Sequence, residues 1–115
     1  MPDMHEEIPI LSKLMRWYYS NCDEEWEHSC GVKIDTLDNP GWWVKVSLEG
    51  TSIDPKSIEP RKIYRDEHDW FECEVLNDPN MGGLGRHHMN LCFSGMGGPH
   101  NLSEIIEYFL RHVGV

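Results

Sequence analysis

The sequence predicts an α+β domain: an antiparallel meander sheet of four or five strands with an N-terminal and a C-terminal helix packed on one face. Three observations lead to this prediction. Apolar residues recur with helical spacing near both ends of the chain, they alternate with polar residues in between, and turn-forming residues separate the alternating segments. Because 115 residues is the length of one ordinary domain, we expect residues 1–115 to form a single unit.

The first predicted helix spans residues 8–20. Pro9 suits its first turn, where a backbone N–H group has no partner within the helix. The apolar residues that follow recur at i, i+3, i+4 and i+7, which is the spacing of one helical face. They are Leu11, Leu14, Met15 and Tyr18. This spacing predicts that the four side chains pack together against the rest of the domain.

After the first helix and an acidic segment, the apolar period changes to two, which predicts a β-hairpin. The first strand has Cys30, Val32, Ile34 and Thr36 on one face, and the second has Trp42, Val44, Val46 and Leu48. The intervening DNPG predicts a type II turn, with Pro40 at its second position and Gly41 at a positive φ. One face of this hairpin is expected to be buried.

A second hairpin is predicted from RKIYR and DWFECEVLN, with the inward face of the latter carrying Phe71, Cys73 and Val75. The glycine-rich DPNMGGLGRHH, residues 78–88, is typical of a loop. MNLCFSG, residues 89–95, is a candidate fifth strand whose inward residues would be Met89, Leu91 and Phe93. These elements complete the predicted sheet.

The last predicted helix covers residues 101–113. Asn101 is expected to cap it and Glu104 to complete a capping box three residues later. Its broad apolar face consists of Leu102, Ile105, Ile106, Phe109, Leu110 and Val113. A face this wide predicts a helix that lies directly on the sheet.

The charge balance of the chain indicates what kind of partner it binds. Twenty acidic residues against ten basic ones give a net charge of −10. Nucleic-acid phosphates and anionic lipids would be repelled, whereas a basic protein would be attracted. The start of the chain lacks the features of a secretory signal, and no apolar run reaches about 20 residues. We therefore expect a cytoplasmic protein with reduced thiols and no nucleic-acid or membrane partner.

The segment CDEEWEHSCG, residues 22–31, is the main candidate for a functional surface. Its carboxylates and a tryptophan predict an acidic patch that faces a basic partner, because tryptophan is a strong interface anchor. A second tryptophan beyond the DNPG turn is the other candidate anchor. The predicted partner-binding residues are Asp23, Glu24, Glu25, Trp26, Glu27 and Trp43.

Two alternative readings of this segment involve chemistry. Cys22, His28 and Cys30 could ligate a metal, but structural zinc sites use tightly spaced pairs that are missing here. Glu27 and His28 could act as acid and base with one of the cysteines as nucleophile, but no established catalytic motif accompanies them. A small metal-binding or acid–base enzyme is thus the rival hypothesis. The prediction is a protein with no catalytic residue, metal or cofactor.

The central part of the chain resembles the immunity protein 53 family, small cytosolic bacterial proteins associated with polymorphic toxin systems. In that family a helix with a WY pair precedes a CD-x-x-WEHS-x-G-I-x-I-x-TLDNPGW block. The matching residues are Trp17, Tyr18, Cys22, Asp23, Trp26, Glu27, His28, Ser29, Gly31, Thr36, Leu37, Asp38, Asn39, Pro40, Gly41 and Trp42. Further matches are Asp69, Trp70 and Cys73, followed by Phe93, Gly95, Gly97, Gly98, Asn101 and Leu102.

The resemblance implies an immunity protein that binds and neutralises a cognate protein toxin in the cytosol. Many such toxins are nucleases with basic clefts, which an acidic surface with aromatic anchors would occlude. The expected partner is therefore a protein toxin with a basic surface.

Overall fold

The computed structural model describes residues 9–78 and 91–114. In these ranges the helices are α1 (Ile10–Asn21), α2 (Trp26–Ser29) and α3 (Leu102–His112). The strands are β1 (Val32–Leu37), β2 (Gly41–Ser47), β3 (Arg61–Asp66), β4 (Asp69–Asn77) and β5 (Leu91–Gly97). A 3₁₀ turn, Pro55–Ser57, interrupts the connection from β2 to β3. The prediction of an α+β fold is confirmed.

The five strands form one antiparallel sheet in the order β1-β2-β5-β4-β3. The segment from β3 to β5 is a meander, but β5 inserts beside β2 and becomes the central strand. This order differs from the predicted simple meander because the connection after β2 crosses to the far side of the sheet. As a result β1 and β3 lie at the two edges.

Helix α3 covers the middle of one sheet face, as its broad apolar face predicts. It contacts β2, β4 and β5. Ile105 and Phe109 are fully buried against Phe93 of the central strand, whose ring lies 5.1 Å from that of Phe109. The helix lies so close to the sheet that a Cβ atom on Gly95 would be 2.3 Å from the Ile105 side chain. Glycine in the central strand therefore makes room for α3.

Helix α1 packs on α3 with a different face from the one predicted. Leu14 and Trp17 are buried, and the Trp17 ring meets Phe109 edge-on at 4.9 Å. By contrast, Leu11 is 55% exposed and Met15 is 67% exposed. The prediction of a single buried stripe is wrong for those two residues and for Tyr18, because the contact with α3 turns that flank of α1 outward.

Strand β1 also exposes residues that were predicted to be buried. Val32 pairs with Val46 and Ile34 with Val44, so both valines of β2 mark the helix-covered face. Val44 and Val46 are fully buried, yet Ile34 is 41% exposed. The reason is position: β1 is an edge strand, and the strands that α3 mainly contacts are β2, β4 and β5.

The turn between β1 and β2 does not have the predicted backbone geometry. Among the described glycines only Gly50 and Gly114 have a positive φ, so the type II assignment for Gly41 is wrong. Gly41 instead opens β2 opposite Leu37. A side chain is excluded there by the neighbouring strand, because a Cβ atom on Gly41 would lie 2.2 Å from the carbonyl oxygen of Gly97.

The predicted capping box of α3 is replaced by a network that joins the helix to the sheet. The Asn101 side chain makes no hydrogen bond to the helix N–H groups. It accepts from the Trp70 backbone N–H at 3.3 Å and donates to Asp69 at 2.9 Å and Glu104 at 2.7 Å. Arg65 binds the same two carboxylates. The Asn101 side chain is buried, and its hydrogen bonds join the start of α3 to β4.

The remaining sequence predictions concern loops and cysteines. The predicted loop 78–88 lies outside the described residues beyond Asp78, as does Met89 of the predicted fifth strand. Cys73 and Phe71 are buried as predicted, whereas Cys92 is buried on the other sheet face from Phe93. Cys30 is buried too, but it ends α2 rather than lying in β1.

Candidate partner-binding surface

The acidic segment forms a compact turn between α1 and α2 that its own carboxylates hold together. One Asp23 oxygen accepts hydrogen bonds from the backbone N–H groups of Glu25 at 3.0 Å and Trp26 at 2.8 Å. The Glu27 carboxylate accepts from the N–H groups of Asp23 and Glu24, each at 2.9 Å. Glu24 adopts a left-handed backbone conformation with φ 75°. Residues 23–27 are called the acidic turn below.

These hydrogen bonds keep the acidic turn negatively charged. Backbone N–H donors, that of Trp26 first, lower the pKa of Asp23. Backbone N–H donors likewise lower the pKa of Glu27. The side chains of Asp23 and Glu27 are therefore bound within the monomer, since both accept hydrogen bonds from main-chain groups. They still contribute negative charge at neutral pH.

Three carboxylates of the acidic turn, those of Asp23, Glu24 and Glu25, are exposed, and that of Glu27 is half-buried. Glu24 and Glu25 lie in the chain between the two carboxylates whose hydrogen bonds fold the turn. Exposed charges on a short connection can meet a partner without any rearrangement of the core. The carboxylates of Asp23 and Glu27 thus hold the turn together, and those of Glu24 and Glu25 are exposed.

Trp26 is a core residue and not a surface anchor. It is 1% exposed, and its ring meets Trp17 edge-on at a centroid distance of 6.1 Å. Its indole N–H donates to the carbonyl of Glu49 at 2.7 Å. A partner therefore has no access to Trp26, and the prediction that it supplies apolar contact is corrected by its burial.

Trp43 is half-buried on the sheet face opposite the core. Its strand neighbours Trp42 and Val44 point the other way, as alternation along β2 requires. The Lys45 ammonium lies 4.5 Å from the centroid of the Trp43 ring, a cation–π contact, and also pairs with Asp78. Trp43 is thus separated from the acidic turn, and the structure does not join the two in one patch.

The residues of the alternative hypothesis, a small metal-binding or acid–base enzyme, do not assemble into a recognisable site. Both oxygens of Glu27 accept main-chain N–H groups, and the Cys22 thiol donates to the Tyr18 carbonyl at 3.4 Å. Burial raises the pKa of the Cys30 thiol, which disfavours the thiolate. Within residues 9–78 and 91–114, no three His, Cys, Asp or Glu side chains come close enough to share a metal ion.

An apolar groove adjoins the acidic turn, and the sequence did not reveal it as a site. It runs between α1 and the start of β1, has a volume of about 380 Å³, and is lined by Leu14, Met15, Tyr18, Cys30, Gly31 and Val32. The available signal was the apolar stripe of α1, which predicts a buried face equally well. Only the packing of α1 on α3 shows which part of that stripe remains open.

An acidic α+β domain with outward carboxylates and an apolar groove is suited to binding another protein. The model of the Immunity protein 53 family matches residues 11–114, so the chain belongs to that family. Membership supports an immunity-protein role, a non-enzymatic one, with a protein toxin as partner. Neither a curated protein nor a solved structure matches the chain. In its described part, no helix is long and apolar enough to cross a bilayer.

Many residues that carry the family resemblance hold the fold in place. Asp23 and Glu27 fold the acidic turn, and Trp26 fills the core. Asp69 and Asn101 tie β4 to the start of α3. The resemblance therefore identifies the family through its folding residues more than through its contact surface.

Proposed function

We propose that this protein binds a cognate polymorphic toxin in the bacterial cytosol and neutralises it, with the acidic turn facing a basic surface of the toxin. Family membership across residues 11–114 is the observation that carries the proposal. The net charge of −10 supports the choice of a basic partner. Occlusion of a cationic cleft would prevent the toxin from reaching its substrate.

Within the acidic turn, Glu24 and Glu25 would make the direct contacts, because they are exposed and because the Asp23 carboxylate, though exposed, is bound to the backbone of the turn. Asp23 and Glu27 would add to the attractive field while they keep the turn folded. Trp43 is proposed as a separate contact on the other sheet face, available to a toxin that reaches around the β1 edge. Attraction between opposite fields mainly accelerates association.

The proposal predicts a gene for a polymorphic toxin beside this one, and the test uses the C-terminal domain of that toxin in a catalytically inactive form. The variant is Glu24→Gln with Glu25→Gln, which leaves the hydrogen bonds of Asp23 and Glu27 in place. We expect association several-fold slower than for the parent at low salt, and a flatter dependence of the rate on ionic strength. Stopped-flow mixing measures both quantities.

A matched control removes the same amount of charge elsewhere. Glu59→Gln with Glu67→Gln changes two exposed carboxylates next to β3, at the opposite edge of the sheet. This control should retain the association rate much more closely than the Glu24/Glu25 variant. Equal slowing in both variants would show that net charge matters and the acidic turn does not.

Neutralisation is tested in cells that express the active toxin domain. Co-expression of the parent protein should restore growth. Failure of the parent both to bind the toxin domain and to restore growth would overturn the proposed function.

A further inference from the structure

We propose that the groove between α1 and β1 binds an apolar side chain of the toxin that is flanked by lysine or arginine. This contact sets the dissociation rate of the complex. The inference rests on the proposed function and identifies the contact that contributes most to the affinity for the toxin.

Large apolar side chains are exposed along the groove, at the lining residues Met15 and Tyr18, and just beyond it, at Leu11 and Ile34. On α1, Leu11 and Met15 are more than half exposed, and Tyr18 is 37% exposed. On β1, Ile34 is 41% exposed, and it shares a strand face with the groove-lining Val32. Contiguous exposure of this kind on a small domain marks an interaction surface.

The exposure is not a sign of loose packing. Helix α1 is fixed by Leu14 and by Trp17, whose ring contacts both Trp26 and Phe109. The strand opposite is fixed by its full pairing with β2. The groove is therefore a preformed concavity between two rigid elements, and filling it requires little ordering of the protein.

The acidic turn lies in the chain between the two walls of this groove, and this connection favours a basic occupant. The chain leaves one wall after Tyr18, passes through the acidic turn and α2, and reaches the other wall at Cys30. The Tyr18 ring lies 5.8 Å from that of Trp26 in α2. Glu25 and Glu27 flank Trp26 in the chain, so negative charge lies near the Tyr18 wall of the groove.

The two lysines next to the groove-lining segments, Lys13 and Lys33, point away from this groove. Lys13 is two residues from both Leu11 and Met15, so it projects from the opposite side of α1. Lys33 lies between Val32 and Ile34 and faces the other side of the sheet. A second copy of the chain, itself with a net charge of −10, would bring more negative charge to the acidic turn. A basic partner with an apolar anchor fits both features.

The test changes the polarity of each wall without changing its charge. Met15→Gln and Ile34→Thr are made singly and together, and binding to the inactive toxin domain of the neighbouring gene is measured by surface plasmon resonance. We expect the double variant to raise Kd at least about tenfold, through faster dissociation, because most interface changes act on the dissociation rate. The salt dependence of association should stay that of the parent.

Tyr64→Gln is the matched control, since Tyr64 is 75% exposed on β3 at the other edge of the sheet. It should leave Kd unchanged. Circular dichroism melting verifies that each variant is folded, and if the double variant unfolds, Met15→Gln alone provides the test because its side chain is largely in solvent.

The possible outcomes separate the groove from the function. A double variant that binds like the parent overturns the groove proposal and leaves the immunity role standing. A parent that fails to bind the toxin domain overturns the proposed function, and the groove as a toxin contact with it. A parent dimer in sedimentation velocity that Met15→Gln dissociates would show that the groove joins two copies of this chain, which also overturns the proposal.

Discussion

Gly41 begins β2 close to Gly97 of β5, which pairs with Trp42, and a Cβ atom on Gly41 would lie 2.2 Å from the Gly97 carbonyl oxygen. No real side chain tolerates such a distance from a backbone atom, so β2 and β5 must separate at this point if Gly41 is replaced. The requirement for glycine is therefore a requirement for close strand contact.

Gly41→Ala is expected to lower the free energy of unfolding by about 1–3 kcal/mol, in the range of overpacking substitutions, and Gly41→Val by more. Gly31→Ala is the control, because nothing lies within 4 Å of a Cβ atom there. Urea unfolding measures both. A Gly41→Ala protein as stable as the parent would show that β2 and β5 can move apart freely.

The Arg65 network predicts a pH-dependent contribution to stability. Arg65 donates to Asp69 and to Glu104, each at 2.7 Å. Hydrogen bonds from Asn101 and then from Arg65 lower the pKa of Asp69, and the hydrogen bond from Arg65 lowers that of Glu104. A lowered pKa in the folded state stabilises the protein above the unfolded-state pKa of about 4, and this stabilisation is lost as the pH falls further.

Arg65→Gln should therefore be less stable than the parent at pH 7, and the difference should be smaller at pH 3, because the stabilisation is lost as the pH falls toward and through the lowered pKa values of the two carboxylates. Chemical unfolding at the two pH values measures the change. Arg111→Gln is the comparison, since Arg111 pairs with the exposed Glu107 at the far end of α3. An Arg65→Gln deficit that is the same at both pH values would contradict a role for carboxylate ionisation.

Trp26→Phe separates a folding role from a binding role. Phenylalanine keeps an aromatic ring in the core but loses the hydrogen bond to the Glu49 carbonyl. Loss of a hydrogen bond of this kind costs about 1 kcal/mol, so the melting temperature should fall. Toxin Kd should not change, because Trp26 is buried. If the Trp26→Phe protein melted at the same temperature as the parent and yet bound the toxin more weakly, Trp26 would belong to the interface.

The four thiols should differ in reactivity. All four cysteines are free, and only Cys22 is outside the buried class. Burial raises the pKa of Cys73 to about 12 and that of Cys92 to about 11. Ellman's reagent at pH 8 should therefore modify one equivalent rapidly, and Cys22→Ser should abolish this phase. Unfolding in urea should make the other three thiols reactive. Rapid reaction of a second thiol in the native protein would contradict their burial.

The elements that the sequence predicted well are those whose periodicity is set locally. Strand β4 and helix α3 lie close to their predicted positions, because strict alternation in one and a broad apolar stripe in the other leave a single way to bury the apolar side. The need for glycine at position 41 also followed from the sequence. Its reason did not, because the obstructing Gly97 carbonyl comes from a strand more than fifty residues away.

The candidate surface depended on relationships between elements far more than on local pattern. The sequence by itself determined the acidic composition, the family resemblance and the apolar stripe of α1. Tertiary structure decided that Trp26 enters the core, that Asp23 and Glu27 fold the turn, and that Met15 and Ile34 remain in solvent. An apolar pattern shows which residues gain from burial. Whether they are buried depends on which neighbour covers them, and here α3 covers the centre of the sheet and leaves the β1 edge open.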